Sequence, residues 1–135
     1  MYDLKATELF LLDMDGTFYL GDTLLPGAAE FLEMCRATGR QFAFLTNNSS
    51  KSKADYLAKL ARLGIEVAER EMFTSGDATL LYLAEHRFEK ELLLIGTPSL
   101  EAQFAAHGYA VRAQTPKAGC TDEQQLFFEA VLGQV

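Results

Sequence analysis

Two aspartates separated by a single residue stand in the segment DMDGT, at residues 13–17. Asp13 and Asp15 follow a short apolar run, residues 8–12, which is typical of a buried parallel strand that ends in a polar loop. At such a strand end one carboxylate can attack phosphorus while the second protonates the leaving oxygen. A hard divalent cation offsets the repulsion between the nucleophile and the phosphate. This geometry suits phosphoryl transfer, and the alternative interpretation is that the two acids only cap the next turn, as an isolated pair of this kind more often does.

A second polar segment, LTNNSS at residues 45–50, follows the next apolar run along the chain. Thr46, Asn47 and Asn48 offer a hydroxyl and amides that can hold phosphate oxygens where the following helix begins. An ordinary helix cap by Asn or Ser is the alternative interpretation. Because ligands of parallel α/β sheets lie at the carboxyl ends of the strands, we expect Asp13, Asp15 and Thr46 to lie close together.

Apolar strands and amphipathic helices alternate along the chain, which predicts a doubly wound parallel α/β sheet with right-handed crossovers. The predicted strands cover residues 8–12, 41–46 and 91–96, with a further short strand at 72–75. The predicted helices cover residues 27–38, a stretch after residue 50 that ends at Gly64, and residues 77–86 and 99–107. Pro26 is expected at the first position of the first helix. Residues 1–135 are expected to form one domain, whose tail from residue 110 shows only a loop at 115–119 and an amphipathic helix at 124–132.

Composition places the chain among soluble globular proteins, with 49% hydrophobic and 23% charged residues in a length of 135. A formal charge of -7 disfavours binding to nucleic acid or to an anionic membrane, because both need clustered Lys and Arg. No signal-peptide pattern and no apolar stretch of about 20 residues is present, which predicts a cytoplasmic location. Cys35 and Cys120 lack CxxC spacing and a catalytic context, so both are expected to be reduced.

The finer pattern resembles the NagD or p-nitrophenyl-phosphatase group of haloacid dehalogenase-like (HAD) hydrolases. It is carried by DMDGTFYLGDTLLPGA at residues 13–28 and LTNNSSKS at residues 45–52. The resemblance covers about residues 8 to 107 and corresponds to the amino-terminal portion of such proteins. It implies a Rossmann-like core and a Mg²⁺-dependent phosphatase. The implied substrates are small phosphorylated metabolites, such as sugar phosphates or p-nitrophenyl phosphate.

The same resemblance implies a role for each motif residue. Asp13 is implied to form the aspartyl-phosphate and to ligate Mg²⁺. Asp15 is implied to be the general acid and base, with its carbonyl on the metal. Thr46 and Asn47 are implied to bind the transferring phosphate. Gly16, which lets the backbone approach the phosphate, and Asn48 complete the implied phosphate-binding set.

The chain departs from the family pattern in the groups that should complete the site. Family members are implied to continue into a cap domain and into core strands that supply a phosphate-neutralising lysine and a last acidic metal ligand, and the sequence shows neither. Lys51 and Lys53 are expected on a solvated helix face, and Lys117 has no strand and helix around it. Asp77 and Asp122 fit the last acidic motif poorly.

Three hypotheses therefore stay open. The first is that the chain is a working phosphatase. The second is that it is a catalytically incomplete piece, a truncated gene product that binds phosphate or associates with itself through an exposed sheet edge as a homodimer. A phosphotransferase, which passes the phosphoryl group to another hydroxyl, is the third hypothesis. Tyr19, just after the aspartates, is expected to touch substrate or a cap. His86 and His107 stand at predicted helix ends without catalytic or zinc-binding partners and are expected to be structural.

Overall fold

Parallel strands flanked by helices form the computed structural model of the chain, which describes residues 5–48 and 50–113. The strands are β1 Leu9–Leu12, β2 Tyr19–Leu20, β3 Thr23–Leu24, β4 Gln41–Thr46, β5 Met72–Thr74, β6 Leu92–Leu94 and β7 Val111–Ala113. The helices are α1 Ala28–Ala37, α2 Lys53–Arg62, α3 Ser75–Glu85 and α4 Pro98–Ala106, with a 3₁₀ turn at Glu69–Glu71. The predicted parallel α/β class is confirmed.

The central sheet has the strand order β1-β4-β5, with both pairs parallel. Leu12 is opposite Phe44, and Thr46 is opposite Thr74. The polar segments that follow β1, β4 and β5 therefore leave the sheet at the same edge. This edge is where the sequence places the chemistry.

One face of the sheet packs on α1 and α2 and forms the larger core. Its fully buried members include Phe44 in the sheet, Leu32 of α1 and Leu60 of α2. The opposite face exposes apolar side chains from all three strands, namely Leu9, Leu11, Leu45 and Phe73. Among residues 5–48 and 50–113, the helices α1 and α2 thus cover one side of the sheet.

The residues at the N-terminal ends of α1 and α3 explain where these two helices begin. Gly27 caps α1 with a φ of 85°, a left-handed conformation that no helical residue adopts, so the prediction of Pro26 at the first helical position is wrong. Helix α3 begins two residues before the predicted start. The Thr74 hydroxyl accepts from the amide of Asp77, and the Asp77 carboxylate accepts from the amide of Thr74, which together form a capping box.

Two features differ from the sequence-based expectation. The segment with Gly21, where no strand is predicted, is an antiparallel hairpin in which Tyr19 pairs with Leu24. The predicted apolar strand at 91–96 exists as β6, but it pairs in parallel with β7 and forms a separate two-stranded sheet. This second sheet and α4 pack on α3 through a small apolar cluster with Leu80, Leu100 and Phe104 at its centre.

Several predictions lie outside the described residues: the loop at 115–119, the helix at 124–132, Lys117, Cys120 and Asp122. The one-domain organisation stays a prediction. In the described part of the chain, no helix combines the length and the apolar character that crossing a bilayer requires.

Candidate active site

The loop after β1 folds around the carbonyl of Met14. That oxygen accepts hydrogen bonds from the amides of residues 17–19, at 2.9 to 3.3 Å. The Met14 side chain is fully buried, whereas those of Asp13 and Asp15 are exposed. Burying the middle residue therefore presents both carboxylates to solvent from one short loop.

Gly16 adopts a conformation that this loop requires. Its φ is 81°, and its amide donates a 2.8 Å hydrogen bond to the carbonyl of Tyr19. A Cβ at this position would meet no atom within 4 Å, so conformation alone, and not crowding, favours glycine here. The approach of a phosphate to this backbone stays a prediction.

An open cavity of about 540 Å³ lies at the carboxyl edge of the sheet and brings together residues from both motifs. Asp13, Thr46 and Asn47 line it, beside apolar side chains from the exposed sheet face. The hydroxyl of Thr17 donates a hydrogen bond to Asp13 Oδ2 at 3.5 Å. Asp15 does not line this cavity but stands two residues away on the same exposed loop.

The two asparagines of the second motif, Asn47 and Asn48, make different contacts. The Asn48 amide donates to the hydroxyl of Thr46 at 3.3 Å. The Asn48 side-chain oxygen accepts from both the amide and the hydroxyl of Ser50, at 3.0 and 2.6 Å. Asn48 therefore stabilises the turn, whereas Asn47 is exposed to the cavity. Helix α2 begins only at Lys53, so the loop between it and β4 is longer than the sequence predicts.

Sequence reasoning missed Ser75, which also lines the cavity. It begins α3 immediately after β5, and its hydroxyl donates to the carbonyl of Asn47 at 3.5 Å. The signal was available, because Thr74 and Ser75 end a short apolar strand in the same way as Thr46 and Asn47. The pairing of that strand with β4, which places Ser75 in the cavity, was not visible.

Asp77, in the first turn of α3, forms an ion pair with Lys53. Besides capping α3, the Asp77 carboxylate accepts from Gln103 Nε2 at 3.0 Å and lies 3.2 Å from Lys53 Nζ. These contacts engage both carboxylate oxygens. Lys53, which the sequence predicts on a solvated helix face, is the first residue of α2 and is only partly exposed.

Tyr19 lies beneath the aspartate loop and is completely buried, so the expectation that it touches substrate or a cap is wrong. Lys59 Nζ stands 3.8 Å from the centroid of the Tyr19 ring. Burial, followed by the negative charge of Asp15, raises the pKa of the Tyr19 phenol above its ordinary value. Burial likewise raises the pKa of Tyr56, whose hydroxyl donates to the Asn48 carbonyl at 3.3 Å. Both phenols are therefore protonated at neutral pH.

Both histidines end helices, as predicted. His86 and His107 each place Nδ1 at 2.8 Å from a backbone carbonyl four residues earlier. Such contacts satisfy carbonyls in the last turn of a helix. The structural role expected for these two side chains agrees with this geometry.

The metal-binding potential of the site rests on Asp13 and Asp15. Carboxylate and carbonyl oxygens are the ligands that Mg²⁺ prefers, and it commonly takes one or two carboxylates with substrate and water. The two aspartates fit that requirement. Across residues 5–48 and 50–113, no group of three or more His, Cys, Asp or Glu side chains gathers in a way that could hold a metal ion.

The sequence of the chain is similar to those of known proteins. A sequence model of the haloacid dehalogenase-like hydrolases matches residues 10–110. The human glycerol-3-phosphate phosphatase is 37% identical over 115 residues, which are 79% of this chain and 36% of that protein. The chloroplastic phosphoglycolate phosphatase 1A of Arabidopsis thaliana is 36% identical over 108 residues, or 78% of this chain and 30% of that protein.

Among solved structures, the 4-nitrophenylphosphatase of Thermotoga maritima is similar in both sequence and fold. It is 36% identical, with a TM-score of 0.76, and the match covers 93% of this chain and 51% of that one. The chain thus spans about a third of the two curated relatives and about half of this structure.

Proposed function

The chain belongs to the haloacid dehalogenase-like hydrolases, and we propose that it carries the nucleophilic half of a phosphatase that acts on small phosphorylated metabolites. The observation that carries the proposal is the shared cavity of Asp13, Thr46 and Asn47 at the carboxyl ends of two adjacent parallel strands. The names of the similar proteins support phosphate monoesters as substrates, since they specify phosphoglycolate, glycerol 3-phosphate and 4-nitrophenyl phosphate. A cytoplasmic location stays a prediction.

In the proposed first step, a carboxylate oxygen of Asp13 attacks the phosphorus. The bond from phosphorus to the leaving oxygen breaks as the bond to Asp13 forms, which yields an aspartyl-phosphate. Asp15 donates its proton to the leaving oxygen, so an alcohol departs. The Thr46 hydroxyl and the Asn47 side-chain amide, which line the cavity with Asp13, would hold the phosphate oxygens during transfer.

In the second step, water attacks the phosphorus of the aspartyl-phosphate. Asp15, now a carboxylate, takes a proton from that water, and the bond between phosphorus and Asp13 breaks. Inorganic phosphate leaves and both aspartates return to their starting states. A single loop that exposes both carboxylates serves both steps.

Mg²⁺ would be held by the Asp13 carboxylate and the backbone carbonyl of Asp15. When bound, it neutralises charge between the nucleophile and the phosphate. Two protein ligands leave most of the coordination shell to water and phosphate, so we expect the protein alone to bind Mg²⁺ weakly.

Hydrolysis of p-nitrophenyl phosphate, measured with and without Mg²⁺, tests this proposal. The comparison needs the full chain, Asp13→Asn, and Asp22→Asn as a matched control, because Asp22 is an exposed aspartate in the neighbouring hairpin. We expect Mg²⁺-dependent release of nitrophenol from the wild type and from Asp22→Asn, and none from Asp13→Asn. Equal turnover in Asp13→Asn, or no turnover in a folded wild type, would contradict the proposal.

A second candidate is a phosphate-binding domain without turnover. It is favoured by one observation, that the described part of the chain gathers two carboxylates but no third acidic ligand. Such a protein would bind inorganic phosphate or vanadate in calorimetry, and this binding would shift the NMR resonances of Asp13 and Asn47. It would nevertheless release no nitrophenol. A phosphotransferase would instead release more nitrophenol than inorganic phosphate when glycerol is present as an acceptor.

A further inference from the structure

The mostly buried side chain of Lys59 contacts Tyr19, the residue that follows the aspartate loop. Lys59, on α2, is only 8% exposed, and its Nζ stands 3.8 Å from the centroid of the fully buried Tyr19 ring. At this distance the ammonium makes a close cation–π contact. Within residues 5–48 and 50–113, Lys59 takes part in no ion pair, so the face of Tyr19 is the partner that the structure gives its charge.

Packing alone does not require a charge at this position. Removing an ammonium from water is unfavourable, and replacing a buried charge by an apolar side chain of similar volume is often neutral or stabilising. An uncharged side chain of the same length would fill the space equally well. Arg62, three residues later on the same helix, keeps its charge in solvent. The contacts of Tyr19 offer a role for the Lys59 charge beyond packing.

Tyr19 is joined to the aspartate loop through its backbone. Its carbonyl accepts from the Gly16 amide at 2.8 Å, and its backbone forms an isolated bridge with Asp15. The Tyr19 hydroxyl is buried and has no hydrogen-bond partner among the described residues. Holding the Tyr19 ring in place therefore restricts the backbone of Asp15.

Helix α2 also contacts the second motif. Tyr56, one turn before Lys59, is 1% exposed and donates to the carbonyl of Asn48 at 3.3 Å. Asn48 in turn donates to the hydroxyl of Thr46. One face of α2 thus contacts the loop of Asp15 through Lys59 and the loop of Thr46 through Tyr56.

We propose that Lys59 is a positioning residue of the candidate active site. Its ammonium holds the Tyr19 ring against α2 and so fixes the position of Asp15 relative to Thr46. The proposal rests on the phosphatase function proposed above. It requires a positive charge over the ring, which Arg supplies and Met does not. Met matches the length of the lysine stem and also packs favourably on aromatic rings, so Lys59→Met removes the charge with little change in packing.

The test compares the full-length wild type with Lys59→Met, Lys59→Arg and the exposed control Arg62→Met. Three quantities are measured: the melting temperature, kcat and KM for p-nitrophenyl phosphate with Mg²⁺, and the amide resonances of Asp15 and Gly16. For Lys59→Met we expect an unchanged or higher melting temperature, displaced resonances and a kcat lower by about tenfold, as displaced catalytic groups cause. KM should change little. Lys59→Arg and Arg62→Met should behave like the wild type.

Two results would overturn the proposal. One is a Lys59→Met variant with wild-type kcat and unmoved resonances at Asp15 and Gly16. The other is a fall in kcat that accompanies a lower melting temperature and is not restored in Lys59→Arg, because that pattern indicates packing. If the wild type shows no turnover, the proposed function fails, and the resonances of Asp15 and Gly16 alone test the positioning role. Resonances displaced in Lys59→Met but not in Lys59→Arg support this role. Resonances that are displaced in neither variant refute it.

Discussion

The hydroxyl of Ser99, in the first turn of α4, donates a hydrogen bond to the Asp55 carboxylate in the first turn of α2. The same carboxylate accepts from the amide and the hydroxyl of Ser52, both at 2.9 Å, and so completes the capping box of α2. One side chain therefore caps one helix and holds a second. A cavity of about 580 Å³ adjoins these residues, but none of the motif aspartates lines it.

This contact predicts an acid-sensitive contribution to stability. The hydroxyl of Ser99 and then the amide of Ser52 lower the pKa of Asp55 below its ordinary value of 3.8. Because the folded-state pKa is depressed, the contribution is present above pH 3.8 and disappears as the pH falls through the folded-state pKa. Asp55→Asn should lower the free energy of unfolding by about 2 kcal/mol at pH 7, the scale for a hydrogen bond to a charged group.

Urea unfolding at pH 7, 5 and 3 measures the effect. The difference between wild type and Asp55→Asn should be equal at pH 7 and 5 and smaller at pH 3. Asp22→Asn, at an exposed position, serves as the control and should show little difference throughout. A difference for Asp55→Asn that stays constant down to pH 3 would show that the charge of the carboxylate does not contribute.

The cap of α3 predicts a second stability effect. Thr74 is 2% exposed, and its hydroxyl accepts from the Asp77 amide at 3.1 Å. Thr74→Val keeps the shape of the side chain and loses this bond, so the free energy of unfolding should fall by about 1 kcal/mol. Thr79→Val, at an exposed position inside the same helix, is the control and should cost less. Equal losses in thermal unfolding would mean that the cap contributes nothing of its own.

The central strands and the edge that carries the site were predictable, because both depend on local pattern. The apolar runs before Asp13 and before Asn47 stop abruptly at polar residues, which identifies both strand ends. Parallel pairing of these strands then places the motifs together without further information. The stripe of apolar residues along α2 indicated that helix for the same local reason.

The remaining features depend on contacts that are distant along the chain. The hairpin strands of Tyr19 and Leu24 have two residues each, which is too short for a periodic signal. The sheet to which β6 belongs is decided by its pairing with Val111, in a segment whose strand character is weak. Tyr19 is buried against residues distant along the chain, among them Lys59, forty residues later, and a lysine on a helix is ordinarily assigned to solvent.

The two faces of the central sheet predict unequal costs for the same substitution. Phe44 is fully buried and meets the ring of Phe18 edge-on, with centroids 4.8 Å apart. Phe44→Ala should therefore lower the free energy of unfolding by about 3–5 kcal/mol. Phe73, on the neighbouring strand and the opposite face, is 42% exposed, so Phe73→Ala should cost clearly less. Chemical unfolding of both variants checks the contrast, and similar losses would mean that the outer face is covered in solution.

The left-handed glycines separate backbone strain from function. Gly16 has a φ of 81° and Gly39 a φ of 70°, and a Cβ at either position would meet no atom within 4 Å. Gly16→Ala and Gly39→Ala should therefore each lower the free energy of unfolding by about 1–2 kcal/mol, through strain alone. Gly39 lies between α1 and β4, outside the cavity of Asp13. Gly16→Ala should in addition lower the turnover of p-nitrophenyl phosphate, because it alters the backbone that joins Asp15 to Tyr19. If turnover falls equally in both variants, the loss follows from reduced stability, and Gly16 has no separate part in the reaction.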